Sequence, residues 1–389
     1  MLRRTILSVL TIVLCLSLPA MAGTKVDMTW DMQNGVNEFI AGVKTDLSQN
    51  FSLKLGVSTT GQMGSNADQT FAVRQLGLSY HNHFIRVFGG AMAPQFDRAS
   101  DTQIHHIFMP DTSPALPHLG YTFDYDSVTY TKLYADLSRK AGYKRLGVHH
   151  IRWQPVPYLT LGFGEAIVAS QPFPGDLYYY SLPVLPYYLA KYFPGIATSI
   201  DNAIFYGDGT LQLPRLKLYG ELLVNEFPMA PTETNPKLYA ITLGLESETL
   251  IAGWDLLVEL CHVSDQAYSN GLPQNIFAYG NQSLGHVLGD DLTAGDVRFS
   301  KHLPKFDAEA RIGVFYQKLG NTDVAPWIGQ VPPVTPEKTY GIKLGFDKPF
   351  TKLHLSFDLE LGYVVNDRHQ EDNAGYHSRA VLKGSWQMP

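Results

Sequence analysis

The chain has 389 residues and a formal charge of −6, with 30 lysines and arginines against 36 acids. That mild acidity argues against a nucleic-acid partner, which would call for a basic face. Two cysteines in this length cannot make a disulfide scaffold or a cysteine-rich metal site.

Residues 1–22 read as a cleaved signal peptide. Arg3 and Arg4 form a positive start, residues 6–18 an apolar run, and Ala20-Met21-Ala22 a cleavage site before Gly23. Cys15 follows Val13-Leu14, so the pattern is not that of a lipoprotein. The expected mature chain is 23–389, with a formal charge of −8 once Arg3 and Arg4 are gone and Cys261 as its single cysteine. No later stretch approaches the ~20 apolar residues of a membrane helix.

Beyond Gly23 the chain shows period-two alternation nearly end to end. From Leu353 to Val365 the odd positions are Leu353, Leu355, Phe357, Leu359, Leu361, Tyr363 and Val365, while His354, Ser356, Asp358, Glu360, Gly362 and Val364 fall between. One face in grease and one in water is the mark of a half-exposed strand. The spacing predicts strands at 25–33, 36–46, 51–61, 70–81, 84–93, two within 120–138 that break near Asp126, 143–154, 157–168, 201–212, 213–226, 238–248, 252–264, 292–301, 305–318, 338–347, 353–366 and 375–387. Short connections such as 48–50, 82–83 and 155–156 alternate with long ones at 94–119, 169–200, 227–237, 265–291, 319–337 and 367–374. The expected fold is therefore all-β: an antiparallel transmembrane β-barrel of about 18 strands (16–18), with long extracellular loops and short periplasmic turns.

The register follows from the cost of charge in lipid, roughly 2–4 kcal/mol for a midplane Arg or Lys. In 213–226 the even positions Leu216, Leu218, Leu222 and Val224 suit lipid, and Arg215, Lys217, Tyr219, Glu221 and Asn225 the lumen. In 305–318, Ile312 and Val314 face out, and Asp307, Glu309 and Arg311 face in.

Four blocks in order carry a family likeness: Leu161-Gly162-Phe163-Gly164-Glu165; Leu182-Pro183-Val184-Leu185-Pro186-Tyr187; Leu218 to Phe227; and Asn281-Gln282-Ser283-Leu284-Gly285-His286 through Asp291. In order and spacing the chain resembles the Wzi capsule-assembly family of outer-membrane proteins. The resemblance implies an 18-stranded barrel whose mouth acts as a lectin, tethering capsular or extracellular polysaccharide without exporting it. Fuller members carry an N-terminal helical bundle; here strand pattern begins almost at Gly23. Asn225 stands where that family would place an acid.

Two sets of residues could serve such a ligand. Tyr178, Tyr179, Tyr180, Tyr187 and Tyr188, in the 169–200 loop, can stack on sugar faces and hydrogen-bond their edges. They can equally be an interface girdle or a loop folded into the lumen, where 181–193 would narrow the pore. Arg215, Lys217, Arg298 and Arg311, with Tyr219 and Glu221 beside them, are expected lumenal groups that would attract an acidic polysaccharide. Lys343, Arg379 and Lys383 extend that set, and Glu221, Asp255, Glu259, Asp296, Asp307, Glu309 and Asp358 could neutralise it instead. The pairs His105-His106 and His149-His150 cannot easily chelate from a strand, because neighbours point to opposite faces. No nucleophile setting or phosphate loop is present, so neither metal, cofactor nor catalysis is expected. The partners expected are an acidic polysaccharide and outer-membrane lipid, the protein acting as a monomer. The competing reading is a porin or substrate-specific diffusion channel, with a periplasmic scaffold third.

Overall fold

The computed structural model describes residues 24–33, 36–62, 70–94, 96, 100, 102–110, 113–138, 143–170, 186–190, 201–225, 238–251, 253–269, 273–280, 282–320 and 335–387. The expected signal peptide lies outside them. In chain order the strands are β1 (Lys25–Gln33), β2 (Val36–Asp46), β3 (Phe51–Gln62), β4 (Thr70–His81), β5 (Ile85–Met92), β6 (Leu116–Tyr125) and β7 (Val128–Asp136). There follow β8 (Arg145–Val156), β9 (Leu159–Ala169), β10 (Asn202–Leu213), β11 (Leu216–Asn225), β12 (Tyr239–Ile251) and β13 (Trp254–Val263). The two-residue pair β14 (Ala278–Tyr279) and β15 (Gln282–Ser283) belongs to a loop. The last five are β16 (Leu292–Leu303), β17 (Ala308–Leu319), β18 (Glu337–Pro349), β19 (Leu353–Val365) and β20 (Ala374–Gln387).

Eighteen of these form one antiparallel sheet, each pairing with its sequence neighbour. The sheet closes where β1 meets β20, Lys25 opposite Gln387 and Gln33 opposite Arg379. Closure removes every free edge, which is what allows strands to cross lipid. The break expected near Asp126 is there: Asp126 takes a left-handed φ of 52° in the turn joining β6 and β7.

Burial is inverted relative to a soluble protein. Leu119, Leu260 and Phe163 are about 60% exposed (62%, 59% and 58%), while Glu259 and Asp296 are at 0% and 2%. The exposed apolar face is the lipid face, and Leu218, Leu222, Ile312 and Val314 all lie on it as the alternation requires. Tyr125, Trp153, Tyr158, Phe306 and Phe350 are exposed close to the short turns, where an aromatic girdle belongs.

One boundary moves. The turn between β10 and β11 is Pro214-Arg215, not the preceding pair, and Arg215 sits in it with φ 62°. Arg215 is therefore an exposed turn residue at the periplasmic end and not the lumenal strand cation the sequence suggested.

Candidate functional site

Two of the long extracellular connections turn down into the barrel. From the β5–β6 loop, residues 102–110 run along the lumenal faces of β11 to β16. Their main-chain donors are taken up by carboxylates of the wall: Ile104 N–H donates to Glu259 at 3.1 Å, His105 N–H donates to the same carboxylate at 2.5 Å, and Ile107 N–H donates to Glu221 at 3.0 Å. Tyr219 and Tyr206 complete the shells, donating their hydroxyls to Glu259 at 2.6 Å and to Glu221 at 3.0 Å. A buried carboxylate needs such donors, and a chain segment leaving water needs acceptors, so each solves the other's problem.

The β13–β16 connection joins it. Tyr268 donates its hydroxyl to the carbonyl of Ile107 at 3.0 Å and accepts from His286 N–H at 2.9 Å, and Met109 N–H donates to the Leu284 carbonyl at 2.7 Å. Phe108 lies between Tyr206 and Phe277, with centroids 4.6 and 5.6 Å away. With Ile107, Met109, Leu284 and the wall residues Leu146, Val148, Val168 and Ile204, they make a buried apolar cluster inside the barrel. The lumen is plugged over β6–β16 by side chains.

A hydrogen-bonded chain pins the two segments to each other and to the wall. Leu288 N–H donates to His286 Nδ1 at 3.1 Å, which leaves that ring's proton on Nε2. His286 Nε2 lies 3.1 Å from His105 Nδ1, and His105 Nε2 lies 2.8 Å from Asp296 Oδ2. Lys343 Nζ holds the other Asp296 oxygen at 2.5 Å. Burial holds His286 well below the ordinary histidine range, with His105 and His106 adding to the shift. Cys261 Sγ lies within 4.8 Å of both ring nitrogens, so the trio has the composition of a metal site. Its geometry is that of a hydrogen bond: the centroids are 5.3 Å apart, about the N–N distance plus two ring radii, so the nitrogens point at each other and not at a shared third point.

The 169–200 loop behaves differently from the expectation that it folds inward. Of its residues, 186–190 are described past the first two, and a one-turn helix at Tyr187–Ala190 packs on the outer wall. Glu165 faces outward from β9 and accepts from Tyr187 N–H at 2.7 Å and from Tyr188 N–H. The Tyr187 ring stacks on His149 at 4.6 Å and its hydroxyl meets Lys132. Gly147 makes room, since a Cβ there would stand 2.7 Å from the Tyr187 hydroxyl. Tyr188 sits edge-on to Phe205 at 5.2 Å. Tyr187 is thus a fully buried anchor on the lipid side and not a lumenal constriction. Tyr178, Tyr179 and Tyr180 lie outside the described residues.

Opposite the plug, a cavity of about 930 Å³ opens in mid-lumen, walled by β16–β20, β1, β2 and β4 and by plug residues 102–104 and 113–115. Most of its charges are paired. Arg379 meets Asp31 at 2.6 Å, beside which Glu38 stands across β1 and β2. Arg311 bonds Asp358 at 2.8 Å and Asp347, and Lys343 lies 3.8 Å from Glu360. Arg298 and Lys383 also line the cavity and have no ion pair within 4.0 Å among the described residues.

The expected site is therefore split. Lys217 bonds Ser100 at 2.6 Å and Glu246 at 3.4 Å, and with Tyr219 and Glu221 it secures the plug. Arg298 and Arg311 face the cavity. Glu221 and Glu259, expected to neutralise cations, hold main-chain N–H groups instead, and Asp307 and Glu309 are exposed near a turn. Sequence alone leaves the histidine pairs without a role, yet His105, His106, His149 and His150 each meet a buried carboxylate. The signal for them exists: paired histidines beside apolar residues, one pair in β8 and one in the β5–β6 loop, with acids left over on the strands.

No family model matches this chain, and no curated protein matches it by sequence. Among solved structures, Wzi of Escherichia coli superposes with a TM-score of 0.67 over 97% of this chain and 87% of that one, at 12% identity. The fold is that of the Wzi barrel. Wzi is an outer-membrane, carbohydrate-binding β-barrel involved in group 1 capsule assembly. OprD and OccK5 (OpdH) of Pseudomonas aeruginosa share the fold more distantly, each with a TM-score of 0.54 at 7% identity, covering 94% and 95% of this chain and 94% and 98% of theirs. This chain is an outer-membrane β-barrel.

Proposed function

We propose that this barrel binds polysaccharide at the cell surface and holds it there, without catalysis and as a monomer, in place of serving as an open diffusion channel. The observation that carries the reading is the plug. Two extracellular segments fill the lumen over β6–β16 with Ile107, Phe108, Met109, Tyr268, Phe277 and Leu284, anchored on Glu221, Glu259 and Asp296. A barrel built to pass solutes gains nothing from an apolar filling, whereas a rigid mouth is what a weak, repeated glycan contact needs. The likeness to Wzi supports the same reading.

A diffusion channel is the second reading, favoured by the mid-lumen cavity and by the likeness to OprD and OccK5. Planar-bilayer recording and polysaccharide retention separate the two. A low-conductance barrel that retains surface polysaccharide on an affinity column, and whose loss sheds polymer into the medium, supports the binding reading. Steady large conductance without retention establishes the channel.

A further inference from the structure

We propose that the mid-lumen cavity is a two-point anion subsite, taking an extended hydroxyl-rich chain that bears carboxylates, with Arg298 and Lys383 as its charge contacts. The inference rests on the glycan reading and deepens it, placing recognition of charge inside the barrel and not on the rim loops.

Most of the cations on this wall are already compensated. Going round from β16 to β20, Arg298 comes first and is unpaired among the described residues. Arg311 is held by Asp347 and Asp358, Lys343 by Asp296 and Glu360, and Arg379 by Asp31. Lys383 comes last and is again unpaired among the described residues. Two free cations therefore flank a stretch of compensated pairs. A cation facing a confined cavity without a protein partner attracts a mobile anion, and a guanidinium offers the fork that a carboxylate fits.

The middle of the wall has a different character. Its three cations, Arg311, Lys343 and Arg379, stand among five carboxylates, Asp31, Asp296, Asp347, Asp358 and Glu360, so it offers many acceptors to hydroxyl groups and turns away a further anion. Arg298 and Lys383 are four strand spacings apart, ~19 Å of wall, so no single carboxylate spans them. Arg298 lies at mid-strand and Lys383 close to the periplasmic end of β20, which sets the chain obliquely across the lumen. A volume of about 930 Å³ accommodates a segment of a few sugars. With a free cation at each end and an acceptor-rich acidic stretch between, the cavity suits an oligosaccharide whose carboxylates are spaced apart by neutral sugars.

The test uses full-length barrel in detergent, with oligogalacturonate as the acidic probe and malto-oligosaccharide of equal length as the neutral one, followed by calorimetry. Oligogalacturonate should bind more tightly than malto-oligosaccharide, and R298Q and K383Q should each weaken it by about tenfold. R298K and K383R should restore most of the loss, and R145Q, a rim cation away from the cavity, should leave binding as it is. Heat-modifiable mobility confirms that each variant is folded. Equal affinity for both probes, or an R298Q/K383Q double variant that binds oligogalacturonate like the parent, overturns the subsite. If the barrel then still retains whole surface polysaccharide, the glycan reading stands without it; if it retains none, that reading falls too.

Discussion

His149 and His150 are adjacent in β8 and lie on opposite sides of the barrel wall. His149 Nε2 is 3.2 Å from Glu165 on the outer face, under the Tyr187 ring, and His150 Nε2 is 2.8 Å from Asp208 in the lumen. One strand thus carries two independent buried histidine–carboxylate pairs, one serving an external strap and one the plugged interior. Period-two geometry makes this separation unavoidable.

Glu165 holds the strap. Glu165→Ala orphans the Tyr187 and Tyr188 N–H groups and leaves His149 unpaired, at a cost of about 1–3 kcal/mol per buried group. The strap should lift from the wall while the barrel persists. Limited proteolysis should then cleave within 186–190 at low protease in the variant and not in the parent. Equal resistance in both would show that Glu165 does not fasten it.

Glu259 and Glu221 hold the plug. An E221A/E259A double variant leaves the N–H groups of Ile104, His105 and Ile107 without acceptors. Single-channel conductance should rise several-fold over the parent, because the apolar cluster remains but its segment loses the contacts fixing it to the wall. The isosteric E221Q/E259Q pair should give a smaller rise, since an amide oxygen still accepts.

The β13–β16 loop should have a pH optimum made of two opposed titrations. Burial pushes Asp290 up to about 7 from 3.8, so between those values the folded state keeps a proton the unfolded state has released, and stability falls as pH rises. His286 is shifted the other way: buried neutral, it favours the unfolded state once pH falls below 6.5. Hydrogen exchange across 264–291 reads both. Asp290→Asn should leave only the loss on the acid side, and His286→Asn only the decline toward neutrality. A variant that keeps both limbs would show that the groups removed do not cause them.

The register can be checked from both sides of the wall. Cysteines placed at Lys217 and Arg311 in a C261S background should react with a water-soluble, membrane-impermeant thiol reagent at rates set by the lumen. Cysteines at Leu218 and Val314 should react only with a lipid-soluble one. Reversed reactivity would mean the strands are rotated by one residue.

The sequence by itself determined the barrel: the number and order of strands, the parity of short and long connections, and the lipid-facing apolar set of the regular strands. These follow from covalent geometry within one strand, where alternate side chains point to opposite sides and lipid tolerates only one set. It also showed Arg298 and Arg311 as lumenal. Sequence alone misplaces Arg215 because Pro214 is not followed by the Gly or Asn that a left-handed turn position favours, and a shift of two residues keeps the same face pattern.

The tertiary structure alone decided what fills the barrel. The plug depends on Ile107 meeting Glu221, 114 residues away, and on His105 meeting Asp296, 191 away. No local pattern marks which acid will hold a main-chain N–H and which will pair with a cation; Glu221 and Asp358 alternate identically in their strands. The 169–200 loop, rich in tyrosine, has the composition of a segment that turns inward, yet its described part lies outside because Glu165 and Lys132 project outward there and need cover from lipid. The choice between inward and outward loops is set by where closure of the sheet brings unpaired polar groups together, and closure is a property of all eighteen strands at once.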